Sequence, residues 1–222
     1  MGLSAEPTCS PVAVVKLGGS LMGHPGLDSV LDAVAATRGR VVLVPGGGLF
    51  ADAVREAQRR LGFTDRLAHR LALQGMGAFA AILAERDSRF VVAPTRPRIE
   101  AARQAGLTPV WDASELMAGH PEIPETWDVT SDSLAAWLAA RIGATELVLL
   151  KSLSLGPGPL DAAELAANGI VDRAFPAFAA HFAGAIRCLG PADWRCLSDV
   201  LGELAGTSEL ATRRAGLAIE TA

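Results

Sequence analysis

The chain has 222 residues, half of them apolar, enough for a sizeable core in one large α/β domain or two small ones. Its formal charge of −4 and its pI near 5.6 speak against a nucleic-acid-binding surface. Three cysteines, Cys9, Cys188 and Cys196, form no CxxC pair and no disulfide framework, so a reducing compartment is the simplest reading.

The N-terminal MGLSAEPTCS has neither a basic start nor an apolar core, and Glu6 stands where a myristoylation signal wants Ser or Thr. The most apolar helical stretch, Ala174–Ile186, is too short to span a bilayer. The expectation is a cytoplasmic protein with no membrane partner. In chain order, Val12, Val14 and Val15 predict a buried strand that runs into Lys16-Leu17-Gly18-Gly19-Ser20. Pro25–Thr37 reads as a helix with Leu27, Val30, Leu31 and Val34 on one stripe. Val41–Val44 is a second strand, followed by Pro45-Gly46-Gly47-Gly48. The next helix, Leu49–Leu61, is expected to bury Phe50, Ala53, Val54 and Ala57.

Arg66–Arg86 reads as a long helix with Leu67, Leu71, Phe79, Ile82 and Leu83 inward. Gly75 and Gly77 interrupt it at roughly 1 kcal/mol each against alanine, which points to close packing against a neighbour or a ligand. Strand Arg89–Ala93, helix Pro97–Ala105, strand Leu107–Val110 and a helical turn Ala113–Ala118 follow, then a loop at Gly119–Glu125. Thr130 or Ser131 caps the helix that begins near Asp132, whose carboxylate suits the helix dipole. Strand Glu146–Leu150 ends at Lys151-Ser152, and Gly156–Pro159 is a turn. Helix Asp161–Asn168 with Gly169 as its cap, helix Asp172–Gly184, strand Ala185–Leu189 and helix Ala192–Glu203 complete the body. The tail from Gly206 holds one more edge strand. Alternating strands and helices predict a mostly parallel sheet with helices on both faces, organised as a single domain over residues 1–222.

Two features stand out. Of 20 cationic side chains only Lys16 and Lys151 are lysines, and both end apolar strand-like runs. Both glycine-rich turns also follow strands, at the carboxyl edge where open parallel sheets bind ligands. Successive backbone N–H groups at such turns cradle anions. Two cradles, two lysines and one carboxylate suit phosphoryl transfer, which needs positioning and charge stabilisation more than covalent help from the protein. The Walker and protein-kinase patterns are absent.

VVKLGGSL, VVLVPGGG and VTSDSLAAWLA, in this order, resemble the amino acid kinase superfamily over roughly Val12–Leu153. The resemblance implies an α/β three-layer αβα sandwich, ATP with Mg2+ held through its phosphates, a small-molecule phosphate acceptor and a homo-oligomer. Within the superfamily, Trp127–Ser133 most resembles the branch that phosphorylates [5-(aminomethyl)furan-3-yl]methyl phosphate in methanofuran biosynthesis. Carried over by position, Lys16 contacts the transferred group and Asp132 orients Lys16 or the metal-bound phosphates. Gly18, Gly19, Ser20 and Ser152 hold the ATP phosphates. Gly46, Gly47, Gly48, Asp128, Thr130 and Ser131 hold the acceptor. Many relatives carry Thr-Asp where this chain has Lys151-Ser152, and Lys151 is expected to act as the second catalytic lysine. For the acceptor's ammonium group, Asp128, Glu125 and Trp127 are the expected partners.

Plainer roles compete for some residues. Lys16 and Lys151 could be ordinary strand-end cations and Asp132 only a helix-start residue. His24 and His120 are expected at the surface, His69 at the surface or else facing the substrate, Phe79 and Trp137 in the core, and Phe175, Phe178 and Phe182 in a packing stripe. Alternative functions are a kinase for uridylate, isopentenyl phosphate or an amino acid, or a non-catalytic nucleotide-binding protein of the same fold.

Overall fold

The computed structural model describes residues 11–155, 160–203 and 219–220. The main sheet contains β1 (Ala13–Leu17), β2 (Val41–Pro45), β3 (Phe90–Ala93), β4 (Thr108–Trp111), β5 (Glu146–Leu150) and, after the short β6 (Leu160–Asp161), β7 (Ala185–Leu189). Its order is β3-β4-β2-β1-β5-β7, and every pairing is parallel. β8 (Ile219–Glu220), the part of the tail within the described residues, pairs with β6 and not with the main sheet. Cys9 and the turn expected at Gly156–Pro159 lie outside the described residues.

The helices are α1 (Leu27–Ala35), α2 (Gly48–Leu61), α3 (Asp65–Arg86), α4 (Arg96–Gln104), α5 (Ser131–Ile142), α6 (Ala162–Ala167), α7 (Phe175–Ala179) and α8 (Leu197–Glu203). They cover both faces of the sheet and create two cores. Strand alternation decides which side chain enters which core. Val12, Val14, Val42, Val44, Leu147 and Leu149 face α5, α6 and α7. Ala13, Val15, Leu17, Val41, Leu43, Val148 and Leu150 face α1, α8 and the second half of α3. The strands read as continuous apolar runs because both faces are covered.

Three expectations change. The helix expected over Asp172–Gly184 is only α7. Pro176, with no N–H to donate, sits in its first turn, and the Asp172 side chain turns away to serve α5. At the other end the chain passes so close to Thr145 that a Cβ on Gly184 would lie 2.6 Å from its carbonyl oxygen. Second, α2 does not bury Phe50, Ala53, Val54 and Ala57; Ala51 is its one fully buried residue. The helix lies over a cavity, not flat on the sheet, and this rotates its faces. Third, α3 is 22 residues long and apolar enough by length and composition to cross a membrane, unlike the shorter stretch singled out above. Here it packs Ala68, Leu73, Met76, Phe79, Ala80 and Leu83 into the two cores, while Leu67 and Ile82 are exposed.

The glycines of α3 are packing sites. A Cβ on Gly75 would stand 2.9 Å from Phe50 Cβ, and one on Gly77 would stand 2.5 Å from Asp112 Oδ1. His24 and His120 are half-buried, each ring edge-on to an indole, Trp194 and Trp137 respectively. Phe79, Phe175 and Phe182 are core residues, while Trp137 is half-buried against that core.

The two glycine-rich turns meet backbone to backbone. A Cβ on Gly19 would lie 2.3 Å from Gly48 N and 2.6 Å from its Cα, and one on Gly46 would lie 2.6 Å from Gly19 N. No side-chain rearrangement relieves a clash with backbone. Gly19→Ala is therefore expected to destabilise the protein by about 1–3 kcal/mol in chemical denaturation. Gly202→Ala, whose Cβ meets nothing within 4 Å, is expected to be tolerated.

Candidate active site

The site lies at the carboxyl ends of β1, β2 and β5. β1 is central, with β2 on one side and β5 on the other, so the crevice opens where the strand order reverses direction. The alternation that puts Val12 and Val14 on the α5 face also puts Lys16 there, and Lys151 continues the series of Leu147 and Leu149. Asp132, in the first turn of α5, lies between them. Lys16 Nζ is 2.9 Å from Asp132 Oδ1. Lys151 Nζ donates to Oδ1 at 2.8 Å and to Oδ2 at 2.7 Å. All three are buried, at 5%, 5% and 7% exposure for Lys16, Asp132 and Lys151.

Burial pushes the Asp132 carboxyl up, but the two ammonium groups outweigh it and hold the group below the ordinary carboxylate range. Burial and then the charge of Lys16 push Lys151 down, against the pull of Asp132. Two cations share one anion, so the cluster carries a surplus positive charge out of water. That is the electrostatic demand an incoming phosphate satisfies.

The start of α5 is fixed from outside the helix. Thr130 occupies the capping position, but its hydroxyl does not cap. Asp172 reaches in from the loop before α7. Its Oδ2 accepts from Thr130 N (2.9 Å), Thr130 Oγ1 (2.8 Å) and Ser133 N (3.0 Å), and Oδ1 accepts from Ser133 Oγ. The carboxylate satisfies free N–H groups at the positive end of the helix. It thereby locks the turn that carries Asp132. Across the crevice the Ser20 hydroxyl donates to Ser152 Oγ at 2.8 Å, tying the loop after β1 to the loop after β5.

Two cavities border this turn. One, of about 240 Å³, is lined by Gly19, Ser20, Gly47 and Gly48 at its floor, with Asp52, Arg55, His69, Met76, Trp127 and Ser131 around it. The other, of about 590 Å³, is lined by Asp132, Asp172 and Arg173 with residues of the α6–α7 segment. Thr130 and Trp127 border both. Among the described residues no three His, Cys, Asp or Glu side chains gather as a metal cage.

Residues 11–93 match the model of the amino acid kinase family. The chain is 28% identical over 144 residues to the [5-(aminomethyl)furan-3-yl]methyl phosphate kinase of Methanocaldococcus jannaschii. That match takes in 61% of this chain and 63% of the relative, so the chain spans somewhat under two thirds of the relative's length. Uridylate kinase from Archaeoglobus fulgidus superposes with a TM-score of 0.64 at 16% identity, over 88% of this chain and 96% of that one. UMP kinase from Ureaplasma parvum does so at 0.64 and 13% identity, over 96% and 97%. The chain has the amino acid kinase fold. The resemblance read from its glycine and lysine motifs is borne out, as is the three-layer α/β architecture.

Within this fold, the structure brings Lys16, Asp132 and Lys151 into one cluster and sets Gly18, Gly19, Ser20 and Ser152 beside it. Gly47, Gly48, Thr130 and Ser131 reach the smaller cavity; Gly46 stands at the contact with Gly19. Asp128 does not reach that cavity. It borders the larger one, exposed, 3.7 Å from Arg173. Glu125 is bound to Arg66 and Arg70 and is not free for a ligand. His69, expected at the surface, is buried; its Nδ1 lies 3.1 Å from Thr126 O. Burial lowers its pKa from the usual 6.5, so it stays neutral near pH 7. Asp52, Arg55 and Asp172 were not singled out in the sequence.

Two outcomes follow from these contacts. Asp172→Ala removes an acceptor from four donors and is expected to cost about 1–2 kcal/mol, read by urea denaturation. For His69, the folded pKa lies below the unfolded value. Stability is therefore present above the unfolded pKa near 6.5 and falls as pH drops through it, because the unfolded chain takes up the proton first. His69→Gln should flatten the decline in stability measured between about pH 7.5 and about pH 5.5.

Proposed function

We propose that the protein is an ATP-dependent phosphotransferase that converts a small phosphomonoester to a diphosphate, with [5-(aminomethyl)furan-3-yl]methyl phosphate as the favoured acceptor. The observation that carries this reading is the buried Lys16–Asp132–Lys151 cluster, with its surplus positive charge, whose Asp132 lines the larger cavity. In this reading the larger cavity takes the nucleotide and the smaller one the acceptor, with their phosphates meeting at the lysines. The Methanocaldococcus jannaschii relative, a kinase named for a furanylmethyl phosphate acceptor, supports the choice of substrate.

A phosphomonoester is mostly dianionic near pH 7, since its second pKa is about 6. Its oxygen attacks without a general base, which fits a site whose nearest histidine is held neutral and donates toward Thr126 O. The new bond joins the acceptor oxygen to the γ-phosphorus of ATP; the bridging bond to the β-phosphate breaks and ADP leaves. Lys16 and Lys151 neutralise charge on the group in transit. Asp132 holds both ammonium groups at fixed positions, so little reorganisation is needed during transfer. The backbone N–H groups of Gly19 and Ser20, at the edge of the smaller cavity, reach the donor phosphates where the two ligands meet, and those at the start of α2 hold the acceptor phosphate, while the Gly18 N–H is engaged with Leu150 O. Mg2+ bound to the nucleotide would add further charge neutralisation. The whole works as one domain in the cytoplasm.

ADP release from Mg-ATP with a set of acceptors tests this. The furan phosphate, its unphosphorylated alcohol, uridylate, isopentenyl phosphate and acetylglutamate form the set. Turnover is expected with the furan phosphate and not with its alcohol. Lys16→Met and Lys151→Met should each lower kcat about 100-fold or more. Unchanged turnover in Lys151→Met would remove that residue from the mechanism. ATP binding without ADP release under any acceptor would favour a binding protein.

A further inference from the structure

α2 acts as a ruler along the smaller cavity. Gly48, Ala51, Asp52 and Arg55 all line it, at the spacing of one helix face. Gly48 is the first residue of the helix, where the backbone N–H groups converge on an anion. Asp52 follows one turn later, about 6 Å along the axis. Beyond it, the Arg55 guanidinium lies 4.3 Å over the Trp127 ring and its Nη1 donates to Asp52 Oδ1 at 3.0 Å. A cation already sits on an aromatic face beside a carboxylate, on the wall of the cavity.

The indole is held to present that face. Trp127 Nε1 donates to Gln58 Oε1 at 2.7 Å. Gln58 Nε2 donates to Phe63 O at 3.1 Å and to Asp65 Oδ1 at 2.7 Å, which fixes the amide so that its oxygen faces the indole. Trp127 is thus set by contacts independent of Arg55. The Arg55 side chain is about half exposed, at 47%, so it can swing into water without leaving a buried vacancy.

We propose that the Trp127 face and the Asp52 carboxylate form a subsite for an ammonium group on the acceptor, occupied by Arg55 until the acceptor arrives. The proposal rests on reading this cavity as the acceptor site, and it defines the substrate class. The acceptor is a phosphomonoester carrying an alkylammonium about one helical turn from phosphorus. Replacing Arg55 by the ligand's ammonium exchanges one cation for another, so the subsite keeps its charge balance. A neutral acceptor leaves Arg55 in place and gains nothing from the carboxylate. The carboxylates expected earlier are otherwise engaged or misplaced: Glu125 is tied to Arg66 and Arg70, and Asp128 lies off the cavity.

The test compares two acceptors, [5-(aminomethyl)furan-3-yl]methyl phosphate and the analogue with methyl in place of aminomethyl. KM is measured with Mg-ATP, and affinity by calorimetric titration without ATP. The wild-type chain is expected to prefer the amine about 10-fold or more. Asp52→Asn and Trp127→Leu should bring the ratio of the two KM values toward one. Arg55→Ala should retain or strengthen the preference. Thermal melts establish that each variant is folded. A ratio near one in the wild type, or a ratio that survives Asp52→Asn, overturns the subsite. So does an equal rise in both KM values in Arg55→Ala with the ratio untouched by Asp52→Asn, which would make Arg55 a phosphate ligand. If neither acceptor supports ADP release, the titration decides separately. An amine preference abolished by Asp52→Asn keeps the subsite while the kinase reading fails, and equal affinities overturn the subsite.

Discussion

Two lysine ammonium groups buried against one aspartate govern this structure. A buried ion pair repays its desolvation only when geometry is good and its hydrogen-bonding capacity is used. Asp132 meets that condition through three contacts at once: Lys16 on one oxygen and Lys151 on both. The second lysine exceeds what a structural pair needs. A fold that places an unmatched cation at the end of its central strands does so at a cost in stability. An anionic ligand that enters the crevice offsets that cost.

Much of the surrounding architecture serves to keep those three groups in register. β1 and β5 are neighbours in parallel register, so their lysines leave the sheet on the same face. Gly19, Gly46 and Gly48 let the two turns meet backbone to backbone, which makes one site of two anion cradles. Asp172 then fixes the start of α5 from a separate loop, and Ser20 joins Ser152 across the mouth. The two cavities share Thr130 and Trp127 as their common border. Asp132 lines the larger of them and the two glycine turns line the smaller, so both open beside the cluster.

The sheet, the two glycine turns and the lysines were legible in the sequence because each depends on local chemistry: β-branched runs, glycine after a strand, and two lysines in a chain whose other cations are arginines. Strand parity even predicts which face the lysines share. Asp132 was legible as a helix-start residue, but its grip on both lysines is a tertiary fact. The misses have separate causes. α2 was read as an amphipathic helix packed on the sheet, with Phe50, Ala53, Val54 and Ala57 inward. It lies over a cavity, so a polar face carrying Asp52 and Arg55 looks in. His69 was discounted because a histidine among arginines resembles a surface position, although it lies on the buried face shared by Leu73 and Met76. Asp172 was absorbed into an expected helix that Pro176 shortens.

The measurement that bears most directly on the surplus charge is the affinity of the protein for Mg-ADP with aluminium fluoride and acceptor phosphate. The planar fluoride complex stands in for the phosphoryl group in transit. If Lys16 and Lys151 jointly hold that group, the wild-type chain binds the assembly at least about 10-fold more tightly than either Lys16→Met or Lys151→Met. Equal affinity in the wild type and both variants would contradict the central role given to the cluster.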